Sequence, residues 1–302
     1  MSKRKREWPP VSLELPVPVT DNHTHLPLHE GQIPSPGGVR LTLEEQLRRA
    51  KAAGVPHMIT SGCELPEWDP VLRLCREHPQ ARAALAVHPN DAALHAGHLE
   101  KSPDGYEHSQ EDYHIPLVEA LGALADRLTD QMVVAVGETG LDYFRTAEPG
   151  REAQKESFRA HLEMARSFDL PLQIHDREAH ADTIKLVSDP AWAEVTIVFH
   201  SFSGDREMAE ILADHGWYAS FSGPVTYPAN AELRAALRSM PRELVMAETD
   251  APYLTPAPYR GSPNASYVMP HTVAQIAELW ELPLAQTCAQ LSQNTNRVYG
   301  SW

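Results

Sequence analysis

Two histidines near the amino terminus have the spacing of a metal-ligand pair. His23 and His25 belong to the segment Asp21-Asn22-His23-Thr24-His25, at the end of a β-rich run. Residues two apart in an extended chain point to the same side, so both imidazoles can face one ion. Taken alone the pair is weak evidence, because two histidines can also simply face solvent.

Ionisable side chains also stand where four other β-rich runs finish. They are Glu138, His175, His200 and Asp250. The carboxyl ends of the strands of a (β/α)8 barrel converge at one rim, where active sites form. Five runs that end in this way favour a shared site over five isolated polar residues. We therefore predict one metal site that contains His23, His25, Glu138, His175, His200 and Asp250.

These donors leave the identity of the metal open. Imidazole with carboxylate suits Zn²⁺, Mn²⁺, Fe²⁺ or Co²⁺, whereas carboxylate with water also admits Mg²⁺. Six donors exceed the needs of one tetrahedral ion, so we expect one or two divalent ions. Two ions would lie about 3.5 to 4 Å apart, with Glu138 reaching both.

The elements that must position these donors are short β-rich runs alternating with helical patterns, which is typical of parallel βαβ units. The eight predicted strands are 17–23, 55–61, 82–87, 132–138, 170–175, 195–200, 216–221 and 244–250. Apolar residues at three- and four-residue spacing predict helices that include 43–53, 116–128, 154–168, 206–215, 231–238, 269–280 and 284–299.

The sequence therefore predicts an α/β fold, a TIM-type (β/α)8 barrel. Eight βα units need roughly 250 residues, and the chain has 302, so we expect a single domain over residues 17–302. Residues 1–16, with the basic run Lys3-Arg4-Lys5-Arg6, are interpreted as a flexible tail. The polar segments 29–40 and 95–114 are predicted to be loop insertions at the barrel mouth.

Composition narrows the classes of partner. No apolar run approaches the roughly 18 residues of a membrane span, and no secretory signal is evident, so we expect a cytoplasmic protein. The cysteines Cys63, Cys75 and Cys288 are too few and too scattered for a disulfide framework. The formal net charge of −15 opposes a long polyanion on the surface, so nucleic acid would contact only the site. No protein partner is indicated.

Motifs over nearly the whole chain resemble the TatD family of metal-dependent deoxyribonucleases, within the amidohydrolase-like barrels. They are TDNHTHL (20–26), VHP (87–89), VGETGLDY (136–143), LQIH (172–175), FHSFSG (199–204) and ETDAPYLTP (248–256). The resemblance implies that the same six donors bind metal. It also implies that Asp250 takes the proton from the attacking water, which makes Asp250 and Glu138 the candidate catalytic residues.

Further residues are candidates for contacts to substrate or to the metal ligands. His88 could bind a substrate phosphate or make a structural hydrogen bond, and Glu248 could orient a ligand or form an interior ion pair. Asp142 is predicted to shape the loop after Glu138. Arg145 is a candidate phosphate clamp, because its planar fork suits phosphate oxygens.

Two stretches depart from the family pattern. Asn90 stands where the family usually has a second histidine after His88. The family's Arg-Gly…Asn-Glu-Pro stretch reads Arg260-Gly261-Ser262-Pro263-Asn264-Ala265-Ser266 here. Arg260 remains a candidate substrate contact, but the lost acid and proline alter the predicted rim of the site.

The resemblance implies hydrolysis of a DNA phosphoester, most simply by a 3′ to 5′ exonuclease acting on single strands. An alternative is hydrolysis of an ester, lactone, amide or aminoacyl-tRNA bond, with the same metals polarising a carbonyl. A third hypothesis is a non-catalytic barrel that serves as a binding module. The presence of all six donors argues against it, and an absence of turnover on a broad substrate panel with each metal would support it.

Overall fold

The computed structural model describes residues 7–301. Its strands are β1 (Thr20–Thr24), β2 (His57–Gly62), β3 (Ala81–Leu85), β4 (Val133–Asp142), β5 (Leu172–Arg177), β6 (Ile197–Phe199), β7 (Tyr218–Phe221) and β8 (Val245–Ala247). Its α-helices are α1 (Leu43–Ala52), α2 (Trp68–Glu77), α3 (Pro89–His95), α4 (Leu117–Arg127), α5 (Arg151–Phe168), α6 (His180–Val187), α7 (Arg206–His215), α8 (Ala231–Ser239), α9 (Pro270–Trp280) and α10 (Leu284–Tyr299).

The strands form one eight-stranded sheet in chain order, β1 to β8, and every strand pair whose register is resolved is parallel. Helices separate successive strands along the chain. Parallel strands in chain order with helical crossovers are the signature of the TIM-type (β/α)8 barrel, so the predicted fold class is confirmed. Among residues 7–301, no helix combines the length and hydropathy that crossing a bilayer requires.

The chain divides into two compact units, which we describe separately. The central unit is Ser61–Ser203, and the terminal unit comprises the described residues up to Thr60 together with those from Gly204 onward. In the terminal unit β8 lies beside both β7 and β1. In the central unit β4 pairs with β3 on one side and with β5 on the other. The prediction of a single domain over 17–302 stays a prediction.

Helix α5 shows why the helices form where the sequence indicated. Its buried residues recur at three- and four-residue spacing and include Phe158, His161, Leu162 and Ala165. This spacing places them on one face of the helix. Asp169, in a left-handed conformation with φ of 54°, ends the helix. The buried face fixes α5 against β4, which carries part of the candidate site.

The largest error among the predicted strand ends is that of β4, and β8 also ends earlier than predicted, at Ala247 instead of residue 250. β4 was expected to finish at residue 138, but it continues to Asp142, and Glu138 therefore lies inside the strand. A register shift between Val136 and Thr139 lets β4 resume pairing with β5, where Gly140 faces His175. The β-bulge allows the strand to pass a polar residue without ending.

The two predicted insertions contain little regular secondary structure. Residues 96–116 contain neither helix nor strand, and residues 29–40 contain only the short 3-10 turns Glu30–Gln32 and Pro36–Gly38. The described part of the predicted tail, residues 7–16, belongs to the terminal unit and packs against the rest of it. There Leu15 is buried, its N–H donates to the Ala53 carbonyl at 3.0 Å, and Tyr267 Oη donates to the Pro9 carbonyl at 2.9 Å. The Lys3–Arg6 run lies outside the described residues.

Candidate active site

The terminal unit brings together three of the six predicted donors. His23 lies on β1, His25 follows that strand, and Asp250 follows β8. One donor atom from each of the three side chains lies within 4.8 Å of the other two, and His25 Nε2 is 3.6 Å from Asp250 Oδ1. We call these three residues the terminal donor group.

Backbone hydrogen bonds fix the terminal donor group. The Asp250 N–H donates to the His23 carbonyl at 3.0 Å, and the His25 N–H donates to the Ala251 carbonyl at 2.7 Å. Asp250 itself has a positive φ of 52°, which is uncommon for a residue with a side chain. The chain after β8 is thus held directly against the end of β1.

Two fully buried polar side chains lie directly before His23. Asn22 Nδ2 donates to Ser220 Oγ at 2.8 Å and to the Ala247 carbonyl at 2.7 Å. Asp21 accepts from Thr249 N at 2.8 Å and from Thr249 Oγ1 at 2.5 Å. Burial raises the pKa of Asp21 to about 7, and the charge of Glu248 adds to this rise, although the hydrogen bonds from Thr249 oppose it. The hydrogen bonds of Asn22 and Asp21 thus connect β1 to β7 and to the end of β8.

The central unit brings together the other three predicted donors. Glu138 lies on β4, His175 on β5, and His200 follows β6. Glu138 Oε2 is 2.6 Å from His200 Nε2 and 3.1 Å from His175 Nδ1, and the two nitrogens are 3.4 Å apart. We call these residues the central donor group.

Two glycines determine where Glu138 can sit. A Cβ added at Gly137 would lie 2.5 Å from the Cβ of Gln173, and one added at Gly140 would lie 2.1 Å from the His175 carbonyl oxygen. Gly140 also has a φ of 138°, which side-chain-bearing residues rarely adopt. Only glycine at these two positions lets β4 approach β5 this closely on either side of Glu138.

Opposite charges hold the central donor group in its ionised state. Burial opposes the charge of Glu138, but the charge of His200 and hydrogen bonds from His175 and His200 outweigh it and lower the pKa of Glu138 well below its usual value. Burial likewise opposes protonation of His175, but Asp142 and Glu138 raise its pKa to about 9. Asp142, 3.2 Å from His175 Nε2, has its pKa lowered to about 2 because its bonds to His175 outweigh the effect of burial.

His88 and Cys63 extend the central donor group. His88 offers a donor atom within 4.8 Å of those of Glu138 and His175, and its ring centroid is 4.7 Å from that of His175. Burial above all lowers the pKa of His88 to about 4, so it is neutral at pH 7 and can act as a ligand. Cys63 Sγ donates to Glu138 Oε1 at 3.3 Å.

The donor chemistry of both groups suits a divalent ion. Each group combines imidazole nitrogen with carboxylate oxygen, the mixture that Zn²⁺, Mn²⁺, Fe²⁺ and Co²⁺ accept. In the central donor group one carboxylate oxygen faces two imidazoles at hydrogen-bond distance, so a cation could replace the proton of His175. His175 also has Asp142 behind its other nitrogen, the arrangement that orients metal-binding histidines. That all six donors serve one centre stays a prediction.

The remaining predicted site residues have different surroundings. Glu248 is fully buried, and its N–H donates to the Phe221 carbonyl at 3.1 Å. Arg145 Nε is 3.2 Å from Asp104 Oδ2, so a carboxylate of the 95–114 segment already pairs with this predicted phosphate clamp.

The residues of the altered 260–266 segment also have partners within the chain. The Arg260 guanidinium lies 4.4 Å from the centroid of the Tyr227 ring. The Asn264 amide donates to the carbonyls of Thr249 and Tyr253, so it has a structural role.

Sequence reasoning missed several residues of these surroundings. Asp21 stands two residues before His23, yet only its contacts with Thr249 reveal a buried carboxylate. Asn90, in the position of the family's usual second histidine, donates to Asp142 Oδ2 at 3.2 Å. Cys63, considered from the sequence only as a disulfide candidate, lies against Glu138. For Arg177 a signal existed, since it stands two residues after the predicted ligand His175.

Known proteins resemble this chain over most of its length. A family model described as TatD related DNase matches residues 20–300. The "uncharacterized metal-dependent hydrolase TatD" of Mycobacterium tuberculosis is 34% identical over 289 residues, covering 93% of this chain and 98% of that protein. A Salmonella typhimurium protein named 3′-5′ ssDNA/RNA exonuclease TatD is 33% identical over 244 residues, covering 78% of this chain and 84% of its own.

A solved structure shares both fold and sequence. The crystal structure of YJJV, a TatD homologue of Escherichia coli K12, matches with a TM-score of 0.77 and 28% identity, over 94% of this chain and 98% of that one. The fold and the mixed imidazole and carboxylate donors are those of a metal-dependent hydrolase on a TIM-type barrel. The chain belongs to the TatD family of such hydrolases.

Proposed function

We propose that this metal-dependent hydrolase cleaves phosphoester bonds of single-stranded nucleic acid and removes nucleotides from the 3′ end. The observation that carries the proposal is the completeness of both donor groups, three residues each, in a TatD-family chain. A relative that covers most of this chain is named a 3′-5′ ssDNA/RNA exonuclease, which supports the substrate class.

The proposed roles follow from what each side chain can do. A bound divalent ion supplies water of lowered pKa, from 15.7 to about 7, and positive charge beside the phosphoryl oxygens. Asp250 accepts the proton of the attacking water, since it is only partly buried and lies 3.6 Å from His25. Glu138 holds His175 and His200 at fixed distances, and Asp142 fixes the ring orientation of His175.

Hydrolysis of a carbonyl ester, lactone, amide or aminoacyl-tRNA bond is the alternative. The altered segment 260–266 and the net charge of −15 support it, because both reduce the contacts available to a polyanion. The same donor groups could polarise a carbonyl. Substrate comparison on one protein preparation separates the two reactions.

The decisive experiment is a hydrolysis screen on protein freed of metal and then loaded with Mg²⁺, Mn²⁺ or Zn²⁺. Single-stranded DNA and RNA labelled at either end, duplex DNA, lactones and an aminoacyl ester are the substrates. We expect metal-dependent release of 5′-mononucleotides from the 3′ end. Asp250→Asn should abolish this release, while the exposed Asp126→Asn, which changes the charge equally, should retain it. Faster turnover of a lactone or aminoacyl ester than of any oligonucleotide would overturn the proposal.

A further inference from the structure

Arg177 is the last residue of β5, two positions after the proposed metal ligand His175. Alternate residues of a strand face the same side, so Arg177 and His175 share a face, about 6.6 Å apart along the strand. His175 is partly buried and Arg177 exposed, so this face passes from the donor group to solvent. The position places Arg177 two residues along the strand from a member of the central donor group.

The Arg177 side chain is held by an aromatic ring. Its guanidinium carbon lies 3.8 Å from the centroid of Phe144, which follows β4 by two residues. Backbone pairing fixes the two partners: Asp142 pairs with Arg177 in the β4–β5 register, and the Tyr143 N–H donates to the Arg177 carbonyl at 2.9 Å. Stacking covers one face of the guanidinium and leaves its in-plane N–H donors available.

Arg177 and Arg145 both lie over the Phe144 ring, at 3.8 and 5.9 Å from its centroid, but they differ in their other partners. Arg145 pairs with Asp104 at 3.2 Å and lies over the Tyr106 ring at 4.9 Å. Within residues 7–301, Arg177 has no carboxylate at ion-pair distance. In a chain with a formal net charge of −15, an exposed guanidinium fixed by stacking and not by an acid is available for an external anion.

We infer that Arg177, positioned by Phe144, is a phosphate-binding residue for a phosphoester substrate of the central donor group. The inference rests on the proposed function, since it names the residue that would hold a phosphate of the nucleic acid strand. The planar fork can donate two parallel hydrogen bonds to two phosphate oxygens. Arg145, which the sequence predicted for this role, is occupied by Asp104.

The first test measures binding without turnover. Metal-loaded wild type, Arg177→Gln, Arg177→Lys and the control Arg166→Gln are titrated calorimetrically with dTMP and with inorganic phosphate. Arg166 is exposed on α5, where it pairs with Glu163 and lies over the Trp192 ring, so its removal matches the charge change. We expect Arg177→Gln to weaken dTMP binding about 10- to 100-fold, as for a lost charge-assisted hydrogen bond. Arg177→Lys should recover part of the affinity, and Arg166→Gln should match wild type.

Equal binding of dTMP by wild type and Arg177→Gln would overturn the inference, as would a wild type that binds neither probe. Phe144→Leu keeps the charge of Arg177 but removes the stacking. It should weaken dTMP binding about 3- to 10-fold, which is the usual worth of one cation–π contact, and Phe144→Tyr should restore it. No change in Phe144→Leu would contradict the positioning role of the ring.

A second measurement separates this inference from the proposed function. In hydrolysis of single-stranded DNA, Arg177→Gln should raise KM about 10- to 100-fold and change kcat much less, because it removes binding and not the attacking group. Hydrolysis by wild type with an unchanged KM in Arg177→Gln would sink the inference alone. A wild type that binds dTMP through Arg177 yet hydrolyses no phosphoester would sink the proposed function and leave the anion site standing.

Discussion

The two donor groups contain the same ligand types but are held by different forces. In the central donor group, carboxylates contact the imidazoles directly, with Glu138 2.6 Å from His200 and Asp142 3.2 Å from His175. In the terminal donor group the one such contact between its members, His25 to Asp250, is longer at 3.6 Å, and backbone hydrogen bonds set the positions. Charge therefore organises one group and main-chain geometry the other.

The difference suggests a division of labour between the groups. Side chains already paired with counter-charges are pre-organised ligands, because their protonation and orientation are fixed before a cation arrives. Asp250, which is not locked in a short ion pair with His25, keeps an oxygen available to accept a proton. We thus expect substitutions in the central donor group to reduce the amount of bound metal, and substitutions in the terminal donor group to lower the rate of hydrolysis.

The largest effect is expected for Glu138→Gln. A neutral amide cannot hold both imidazoles with one anionic oxygen, so bound metal should fall together with activity, by more than about 1000-fold. Elemental analysis and initial hydrolysis rates check this. Glu156→Gln, exposed on α5, is the matched control. Full metal content in Glu138→Gln would remove the distinction between the two groups.

Asp250→Asn should slow hydrolysis about 100- to 1000-fold, the usual cost of removing one such electrostatic partner. The central donor group is intact in this variant, so we expect metal to remain bound there. Single-turnover rates and metal content, measured on the same sample, provide the test. Loss of all metal in Asp250→Asn would mean that both groups depend on this carboxylate.

The third prediction concerns pH and the scaffold of the central unit. His161 on α5 is fully buried; its Nε2 accepts from the Val87 N–H at 3.0 Å, and burial lowers its pKa to about 4. The unfolded chain takes up a proton near pH 6.5, whereas the folded chain does so only near pH 4. Stability from this residue is therefore complete above pH 6.5 and is lost as pH falls toward 4, by about 3 kcal/mol.

Urea unfolding at pH 7 and at pH 4.5 measures this loss. As pH falls, the unfolding free energy of His161→Gln should decrease less steeply than that of wild type. His215→Gln, at an exposed position on α7, should follow the wild-type slope. Parallel slopes for His161→Gln and wild type would refute the assignment to His161.

The smallest effect is expected in the scaffold of the terminal unit. Asn22→Ala removes two buried hydrogen bonds, to Ser220 and to the Ala247 carbonyl, and should cost about 1 to 3 kcal/mol. An amide does not titrate, so the cost should be equal at pH 7 and pH 4.5. Unfolding of the exposed control Asn296→Ala should stay near wild type. A cost that changes strongly with pH would contradict the expected difference in pH dependence between Asn22 in the terminal unit and His161 in the central unit.

The fold could be predicted because alternating strands and amphipathic helices leave a periodic signal, and the eight strands overlap the eight predicted runs. Within each unit the grouping of three donors could be predicted, because residues at the carboxyl ends of neighbouring parallel strands lie close together. The end of β4 could not be located, since the bulge beside Glu138 has no periodic signature. The partners of Arg145 and Arg177 were also hidden, because they depend on the irregular 95–114 segment and on the β4–β5 register.

The glycines on either side of Glu138 have a practical consequence for redesign. Because Gly137 and Gly140 have no room for a methyl group, a library that randomises β4 would be filled with misfolded members. Residues 143–145 lie just past the strand, and Tyr143 and Phe144 contact Arg177. Directed evolution toward new leaving groups should therefore spare the two glycines and diversify the three positions beyond them.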